Sequence, residues 1–467
     1  MEMGLNDDVR RAAETLAACD EATIISHIDA DGISSEAILA SALTREGIVV
    51  NSVFVRQLEP MAMRHVPNDA TFKIFTDLGA GQQNLLEEHG LSADEVLIVD
   101  HHVSQPAGIE YSQVNCLEHG HQKLSAAGIA YLIAKELDGN NTDLAKLAVV
   151  GNVGDMMARE TRCLIGPARE IVEDGVRSGN IAVRERDLNC YGTSTRPLHV
   201  CLAYNDDPFI PGVSNDANGA LRFLQRLGVE LRADEGRWYV WEELCIDDKR
   251  TIISALVQQL VAHQKSTDRL LGESYLFTDE LRRTPLRNAS EYATLLNACG
   301  RWARPRIGSG VCRGDRGDSY REAEYMLTHH RAIIRELLQF ILDTGVTELS
   351  QLQYIHTGDR FPDTIIGIGA GMALSKLNWR KPMMVLGEVV DDPQITKVSM
   401  RTNEWTLRQG VDLQAALVLA SAEVGGAGGG HKIAAGAYIP GETEEEFIDH
   451  VNRVLGEQRA STGSDNS

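Results

Sequence analysis

Four short stretches of this sequence end in side chains that bind cations or move protons. "HIDADG" presents His27, Asp29 and Asp31; "FTDLG" presents Asp77; "VDHH" presents Asp100, His101 and His102; "GNVGDM" presents Asp155. Taken singly, an Asp after an apolar run is most often a helix N-cap or a turn residue, and a single His is often a hydrogen-bonded core residue. The joint pattern is a different matter. Like charges gathered at one rim repel strongly unless cations neutralise them, so the set points to a metal centre. Carboxylate and imidazole ligands without thiolate suit Mn²⁺ or Mg²⁺ better than a structural zinc.

Gathering these groups requires a fold that delivers separate segments to one edge. Residues 22–29, 48–55, 71–79 and 95–102 are short, β-rich apolar runs, and the intervening 32–43 and 81–90 carry helical periodicity. Strands alternating with helices imply an α/β fold with a parallel, doubly wound sheet. Ligands of such sheets bind beyond the carboxyl ends of the strands, which is where three of the four stretches fall. The fourth follows the apolar "LAKLAVVGNVGDM".

Composition narrows the class. A chain of 467 residues exceeds one ordinary core, so two or three domains are expected. Hydrophobic content of 43% and charged content of 24% are those of a soluble globular protein. No apolar run approaches the roughly 20 residues that span a bilayer, and the start lacks the plan of a secretion signal. A cytoplasmic protein with no membrane partner is expected. The eight cysteines are scattered, with no C-x-x-C pair, which disfavours structural zinc and a disulfide framework. A net charge of −22 argues against a protein that coats nucleic acid nonspecifically, although a local basic groove is compatible with it.

The C-terminal stretch, roughly 346–467, again mixes strand and helix patterns and reads as a second, smaller α/β domain. Its "GGAGGGHK" is no P-loop, since that motif needs Gly-Lys-Ser/Thr and here His431 precedes Lys432 and Ile433 follows. A glycine run means close backbone approach, either to a ligand or in a tight turn. Between the domains a basic segment carries Arg282, Arg283, Arg287, Arg301, Arg304, Arg306, Arg313 and Arg316 around Trp302. Arginine forks pair with phosphate, and an indole either stacks on an unpaired base or packs in a core. Residues 204–231 and 241–264 suggest loops followed by helices. A long helical pattern covers 321–345, with His329 and His330 on its surface.

The quoted stretches resemble motifs I to IV of the DHH phosphoesterase superfamily. The resemblance implies two divalent cations, Mn²⁺ or Mg²⁺, held by His27, Asp29, Asp31, Asp77, His101 and Asp155, with Asp77 as bridge. It implies that Asp100 supports the ligands and that His102 faces the scissile phosphate. "SMRTN" and "GGAGGGHK" resemble the C-terminal domain that accompanies DHH domains. There Ser399 and Arg401 would bind backbone phosphate, and Gly429, Gly430 and His431 would line the opposite wall of a cleft between the domains. "NACGR" is similar to a stretch of RecJ-type exonucleases, which gives Asn297 and Arg301 a phosphate role.

Residues 191–212 and 283–301 resemble archaeal RecJ-like proteins, including the nuclease associated with the GINS replication complex. The implied plan is a DHH catalytic domain over 1–200, a mainly helical insert over 201–290 that docks GINS, a basic segment and connecting helix over 291–345, and the C-terminal substrate-binding domain over 346–467. The implied activity is metal-dependent exonucleolytic hydrolysis of single-stranded DNA or RNA to mononucleotides in replication or repair, 5′ to 3′ by that resemblance, with polarity left open by the sequence. Two alternatives stand beside it: an oligoribonuclease or dinucleotide phosphodiesterase of the same family, and a non-catalytic replication scaffold. The filled acidic positions weigh against the scaffold, and "NACGR", the basic segment and the insert weigh against the small-substrate enzyme.

Overall fold

A computed structural model of the chain describes residues 4–464, apart from 61, 206, 234, 235 and 391. The chain divides into two units, the first from residues up to 56, 68–297 and 309–315, the second from 57–67, 298–308 and 316 onward.

In the first unit α1 (Leu5–Ala17) leads into β1 (Glu21–His27), α2 (Ala30–Arg45), β2 (Val49–Val55), β3 (Phe72–Thr76), α3 (Gln83–Glu88), β4 (Val96–Asp100) and β5 (Ser112–Asn115). The strands form one parallel sheet in the order β2-β1-β3-β4-β5. Successive residues such as Ile24 and Ile25, or Ile74 and Phe75, are all fully buried. Both faces of the sheet are therefore covered, which is why its strands read as unbroken apolar runs. The fifth strand, the short and polar "SQVN", carries no such signal and is defined by its pairing with Leu97–Asp100 of β4. The order reverses between β1 and β3, and this switch point leaves a crevice beyond the strand ends.

Two helices, α4 (Ala126–Leu137) and α5 (Ala145–Gly154), pack on α2, and α6 (Pro167–Arg177) packs on α5. The glycines of "GNVGD" make that packing possible. A Cβ on Gly151 would fall 2.4 Å from the Ala127 Cβ and 2.6 Å from Asp31 Oδ1, and one on Gly154 would fall 2.8 Å from the Ala30 Cβ. Any larger residue would push α5 off the start of α2.

The insert is more than helices. β6 (Ile181–Leu188) pairs antiparallel with β7 (Leu271–Phe277), and α7 (Leu198–Ala203), α8 (Ala217–Arg226) and α9 (Ile246–Ala262) lie between them in the chain. Phe223, Trp241, Ile252, Leu256 and Leu260 share one buried core there. Next, α10 (Ala289–Arg301) is fastened to the loop between β6 and α7 by Glu291, whose Oε1 accepts the Ser194 N–H at 2.8 Å and whose other oxygen accepts the Thr195 hydroxyl. Burial pushes this carboxyl up to about 7 against those hydrogen bonds.

Both α10 and α11 (Pro305–Cys312) contain a boundary between the units. The second unit continues with α12 (Asp318–Thr344), β8 (Thr347–Glu348), β9 (Gln353–His356), α13 (Ile366–Leu374), β10 (Met383–Val389), β11 (Asp392–Arg401), α14 (Glu404–Arg408), α15 (Leu413–Glu423), β12 (Ala427–His431), β13 (Ala434–Pro440) and α16 (Glu444–Ser464). Its six-stranded sheet runs β12-β13-β11-β10-β9-β8, parallel only between β9 and β10. The glycine run is the edge strand β12. A Cβ on Gly428 would fall 2.6 Å from the Leu417 carbonyl oxygen of α15, and Gly430 has φ +126° beside Ala434 and Ala435, whereas Gly429 opens to free space. Two of these glycines therefore serve packing, and Gly429 leaves backbone accessible.

Glu291 predicts a pH dependence of stability. Between pH 4.5 and about 7 the folded chain keeps a proton that the unfolded chain has lost, so this group lowers stability as pH rises through that window, by about 3 kcal/mol in all. Glu291→Gln should remove this slope. Urea midpoints at pH 5 and pH 8 check it: the variant should gain relative to wild type at the higher pH, and parallel pH profiles would contradict the assignment.

Candidate metal centre

The crevice at the β1/β3 switch point is built from four loops. His27 ends β1, and Asp29 is the N-cap of α2, its Oδ1 accepting the N–H groups of Asp31 and Gly32 at 3.0 Å each. Its Oδ2 lies 3.2 Å from His27 Nδ1. One carboxylate is thus both helix cap and site residue, because its two oxygens face different ways. Gly32 lets the helix start this close: a Cβ there would fall 2.3 Å from the His27 carbonyl oxygen. Asp31 is buried in the first turn of α2, and each of its oxygens accepts a backbone N–H at 2.9 Å, from Ala126 and Ala127 at the start of α4. The positive end of α4 helps hold that charge in the interior.

Asp77 follows β3 with φ +61°, a left-handed conformation that Asp tolerates better than most residues. The turn aims its carboxylate into the crevice, with Oδ2 3.2 Å from His27 Nδ1 and Oδ1 3.3 Å from His101 Nε2. That same Nε2 lies 3.7 Å from Asp31 Oδ2 and 3.6 Å from Asp155 Oδ2. Asp155 is the C-cap of α5, and Met156 after it also has a positive φ of 59°.

Asp100 does another job. Its Oδ2 accepts the Ala80 N–H at 3.0 Å, and its Oδ1 accepts the N–H groups of His101 and His102 at 2.8 and 3.2 Å. The same Oδ1 lies 2.8 Å from His102 Nδ1. This carboxylate shapes the loop that carries both histidines and turns the exposed His102 ring so that Nε2 is left for other partners. The hydrogen bond that His102 donates to Asp100 raises the His102 pKa above its ordinary value.

The electrostatics are those of a cation site. Burial opposes charge on His27, yet its hydrogen bonds to Asp29 and Asp77 prevail and raise it to about 10. His101 is likewise raised to about 10, against burial, by Asp77 and by the charges of Asp31 and Asp155. Burial pushes Asp31 well above the carboxylate range, with repulsion from Asp77 adding to it, and burial also raises Asp155. Asp29 goes the other way, to about 2, because the His27 hydrogen bond outweighs burial. Two imidazolium protons thus sit where neutralising charge is needed, and a divalent cation would displace them.

A metal fits this set. The ligand atoms of His27, Asp29 and Asp77 lie within 4.8 Å of one another, as do those of Asp31, His101 and Asp155. His101 Nε2 is buried among three carboxylates without a hydrogen-bond partner. Oxygen and imidazole donors without thiolate match Mn²⁺ or Mg²⁺. Sequence reasoning missed the supports. Asn152 of "GNVGD" is fully buried, accepting the Ser125 N–H at 3.0 Å and donating to the Ala148 carbonyl at 2.7 Å, and so holds the start of α4 under Asp31. The Ser125 N-cap ahead of an apolar helix was the available signal.

The residues expected to hold substrate fall in several places. Asn297 Oδ1 accepts the Ala30 N–H at 2.9 Å, which ties α10 to the first turn of α2. Arg301, one helical turn further along α10, is exposed, with no acidic partner among the described residues. Much of the basic segment is neutralised: Arg283 pairs with Glu243 at 2.7 Å, Arg287 with Glu242 at 3.1 Å and Arg304 with Glu322 at 2.7 Å. Trp302 takes the packed alternative, edge-on to Tyr325 at 6.0 Å with its N–H buried.

In the second unit, Ser399 and Arg401 end β11 against the glycine face of α13. A Cβ on Gly367 would fall 2.7 Å from Arg401 Nη2 and 3.3 Å from Ser399 Oγ. The half-buried Arg401 guanidinium donates to the Met400 carbonyl at 2.8 Å and has no carboxylate partner among the described residues, and burial lowers its pKa. Ser399 is buried, while Gly429, Gly430 and His431 lie along edge strand β12, with His431 exposed.

Comparisons with known proteins agree with this architecture. Residues 21–152 match the DHH family N-terminal domain, 190–271 the DHH-CID domain and 351–457 the DHHA1 domain. A protein of Methanocaldococcus jannaschii described only as uncharacterised is 27% identical over 447 residues, covering 93% of each chain. The fold is similar to that of exonuclease RecJ bound to manganese, with a TM-score of 0.50 at 16% identity over 97% of this chain and 94% of that one. It is also similar to CDC45 from Entamoeba histolytica, with a TM-score of 0.54 at 11% identity over 96% and 97%.

The site predicts metal-linked stability. Mn²⁺ should raise the thermal midpoint of the wild-type chain. Asp77→Asn keeps a residue that accepts the left-handed turn but removes the charge shared by both histidines; it should weaken Mn²⁺ binding by at least about 100-fold in calorimetry. Undiminished binding would refute the centre.

Proposed function

Because the chain belongs to the DHH superfamily and folds like RecJ, we propose that it is a metal-dependent exonuclease that hydrolyses phosphodiester bonds of single-stranded DNA or RNA to mononucleotides. The observation that carries this reading is the orphaned His101 Nε2, ringed by Asp31, Asp77 and Asp155 at 3.3–3.7 Å. His27, Asp29 and Asp77 would hold one divalent cation, and Asp31, His101 and Asp155 a second. When bound, such a pair supplies an acidified water as nucleophile and positive charge beside the phosphoryl oxygens.

The chain's own groups do the rest. Asp100 holds the His102 ring so that its outer nitrogen donates to a phosphate oxygen, and its charge favours the protonated ring needed for that contact. Arg401, half-buried with no acid partner among the described residues, awaits an anion, and a backbone phosphate of the strand supplies it with fork geometry. Ser399 supports that contact, and the open backbone at Gly429 with His431 adds polar groups along β12. Arg301, with no acidic partner among the described residues, takes a further phosphate, while Asn297 keeps α2 in place beside the candidate metal ligands. The role belongs to replication or repair in the cytoplasm.

The insert, residues 201–290, is the docking element for a replication complex of the GINS type. Ile246 and Val261, at the two ends of α9, are each 61% exposed and suit an apolar partner face. The fold-level likeness to CDC45 is consistent with such an assembly, and it also keeps in view a chain that acts only as a scaffold.

Two measurements separate these readings. With Mn²⁺, end-labelled single-stranded 30-mers should be shortened to mononucleotides by wild type and left intact by Asp77→Asn. Cleavage of dinucleotides alone would move the chain to the small-substrate class, and no cleavage at all would favour the scaffold. In a pull-down, Ile246→Asp with Val261→Asp should reduce retention of GINS at least about tenfold, and unchanged retention would remove the docking assignment.

A further inference from the structure

One cluster of the second unit has no part in the metal centre or in the packing of its core. Trp379 and Trp405 are 44% and 40% exposed, and their rings meet edge to face with centroids 5.3 Å apart. The Arg380 guanidinium lies over both, 5.4 Å from the Trp379 centroid and 5.9 Å from that of Trp405. Large indoles left facing water are unusual unless something covers them. The remaining tryptophans behave differently: Trp241 is fully buried, Trp302 packs on Tyr325, and Trp238 lies against His199 and Arg232.

The pair is held together by the last residue of "SMRTN". Asn403 Oδ1 accepts the N–H groups of Trp405 and Thr406 at 3.0 and 3.2 Å as N-cap of α14, while its Nδ2 donates to the Trp379 carbonyl at 2.6 Å. One side chain therefore fixes both tryptophan backbones. Trp405 lies four positions after Arg401, so their Cα atoms lie within about 14 Å. The charge around the rings is basic in a protein of net charge −22. Neither Arg380 nor Lys376 forms an ion pair with an acidic group among the described residues, and Arg401 likewise has none; Lys381 is paired with Glu348.

We infer that Trp379 and Trp405, with Arg380, form a stacking platform for unpaired bases of the substrate strand. The inference deepens the proposed function and rests on it. Cations for phosphates beside exposed aromatic faces for bases are what a single strand offers partners for, since its backbone is anionic and every base has a π-face. An apolar protein surface would leave the three unpaired cations without a role. Stacking of this kind is tolerant of base identity, so the platform grips length rather than sequence.

The test is equilibrium binding of labelled 12-mers to the full chain in EDTA, where cleavage is stopped, comparing a thymidine strand with an abasic strand of the same length. Trp405→Ala and Trp379→Ala should each weaken the thymidine strand about tenfold and leave the abasic strand bound as in wild type. Trp405→Phe should recover most of the loss, while Arg401→Ala should weaken both strands alike. Equal loss on both strands, or no loss on either, in the tryptophan variants would overturn the platform. If wild type binds and degrades single strands normally while those variants bind as wild type does, the platform alone fails. If wild type neither binds nor degrades any single strand, the proposed function fails, and the platform with it.

Discussion

Four carboxylates, Asp29, Asp31, Asp77 and Asp155, are brought to one crevice around His27 and His101. Two unit charges about 4 Å apart repel by about 4 kcal/mol at an effective dielectric of 20, and the whole net stability of a domain is roughly 5–15 kcal/mol. Such a set persists only with positive charge among it. His27 and His101, both raised to about 10 beside these carboxylates, supply such charge, together with the starts of two helices. The arrangement has the donor set of a candidate cation site.

The scaffold around it answers this constraint at each point. The reversal of strand order between β1 and β3 leaves the crevice; the N-terminus of α2 takes one oxygen of Asp29, and that of α4 takes both oxygens of Asp31. Gly32, Gly151 and Gly154 let α2 and α5 approach without side chains between them. The left-handed turn at Asp77 is backbone strain retained where one carboxylate must serve two imidazoles. Fold and site are therefore one problem in this unit: the same helix ends that need capping supply the groups that stabilise the buried acids.

The second unit poses the opposite problem on a smaller scale. Arg401 is a half-buried cation with no carboxylate partner among the described residues, seated where Gly367 has no side chain. Elsewhere the chain neutralises its arginines readily, as with Arg283, Arg287 and Arg304, so an unneutralised, desolvated guanidinium stands out against its own protein. Removing it from water costs stability that only an anionic partner returns.

The candidate metal-binding groups were legible in the sequence because their chemistry is local: Asp and His at the ends of apolar runs, in a fold whose strand ends converge by rule. The α/β class, the helical insert and the C-terminal α/β domain were legible for the same reason, since periodicity records which faces are buried. Tertiary structure alone decided the division of labour among similar residues. Asp100 ends one strand and Asp77 follows another, yet one serves backbone N–H groups and the other faces two imidazoles, because the turn after each strand differs. Trp302 and Trp405 both neighbour arginines, yet only Trp405 is exposed, because Tyr325 of α12 packs against Trp302, whereas Trp405 meets only the equally exposed Trp379 and Arg380 among the described ring contacts. The polar strand β5, the β6-β7 pair and the caps from Ala126, Ala127 and Asn297 were hidden in sequence, because each exists only through a partner far along the chain. Residue type and spacing determined which groups could bind a cation; long-range packing decided which way each one points.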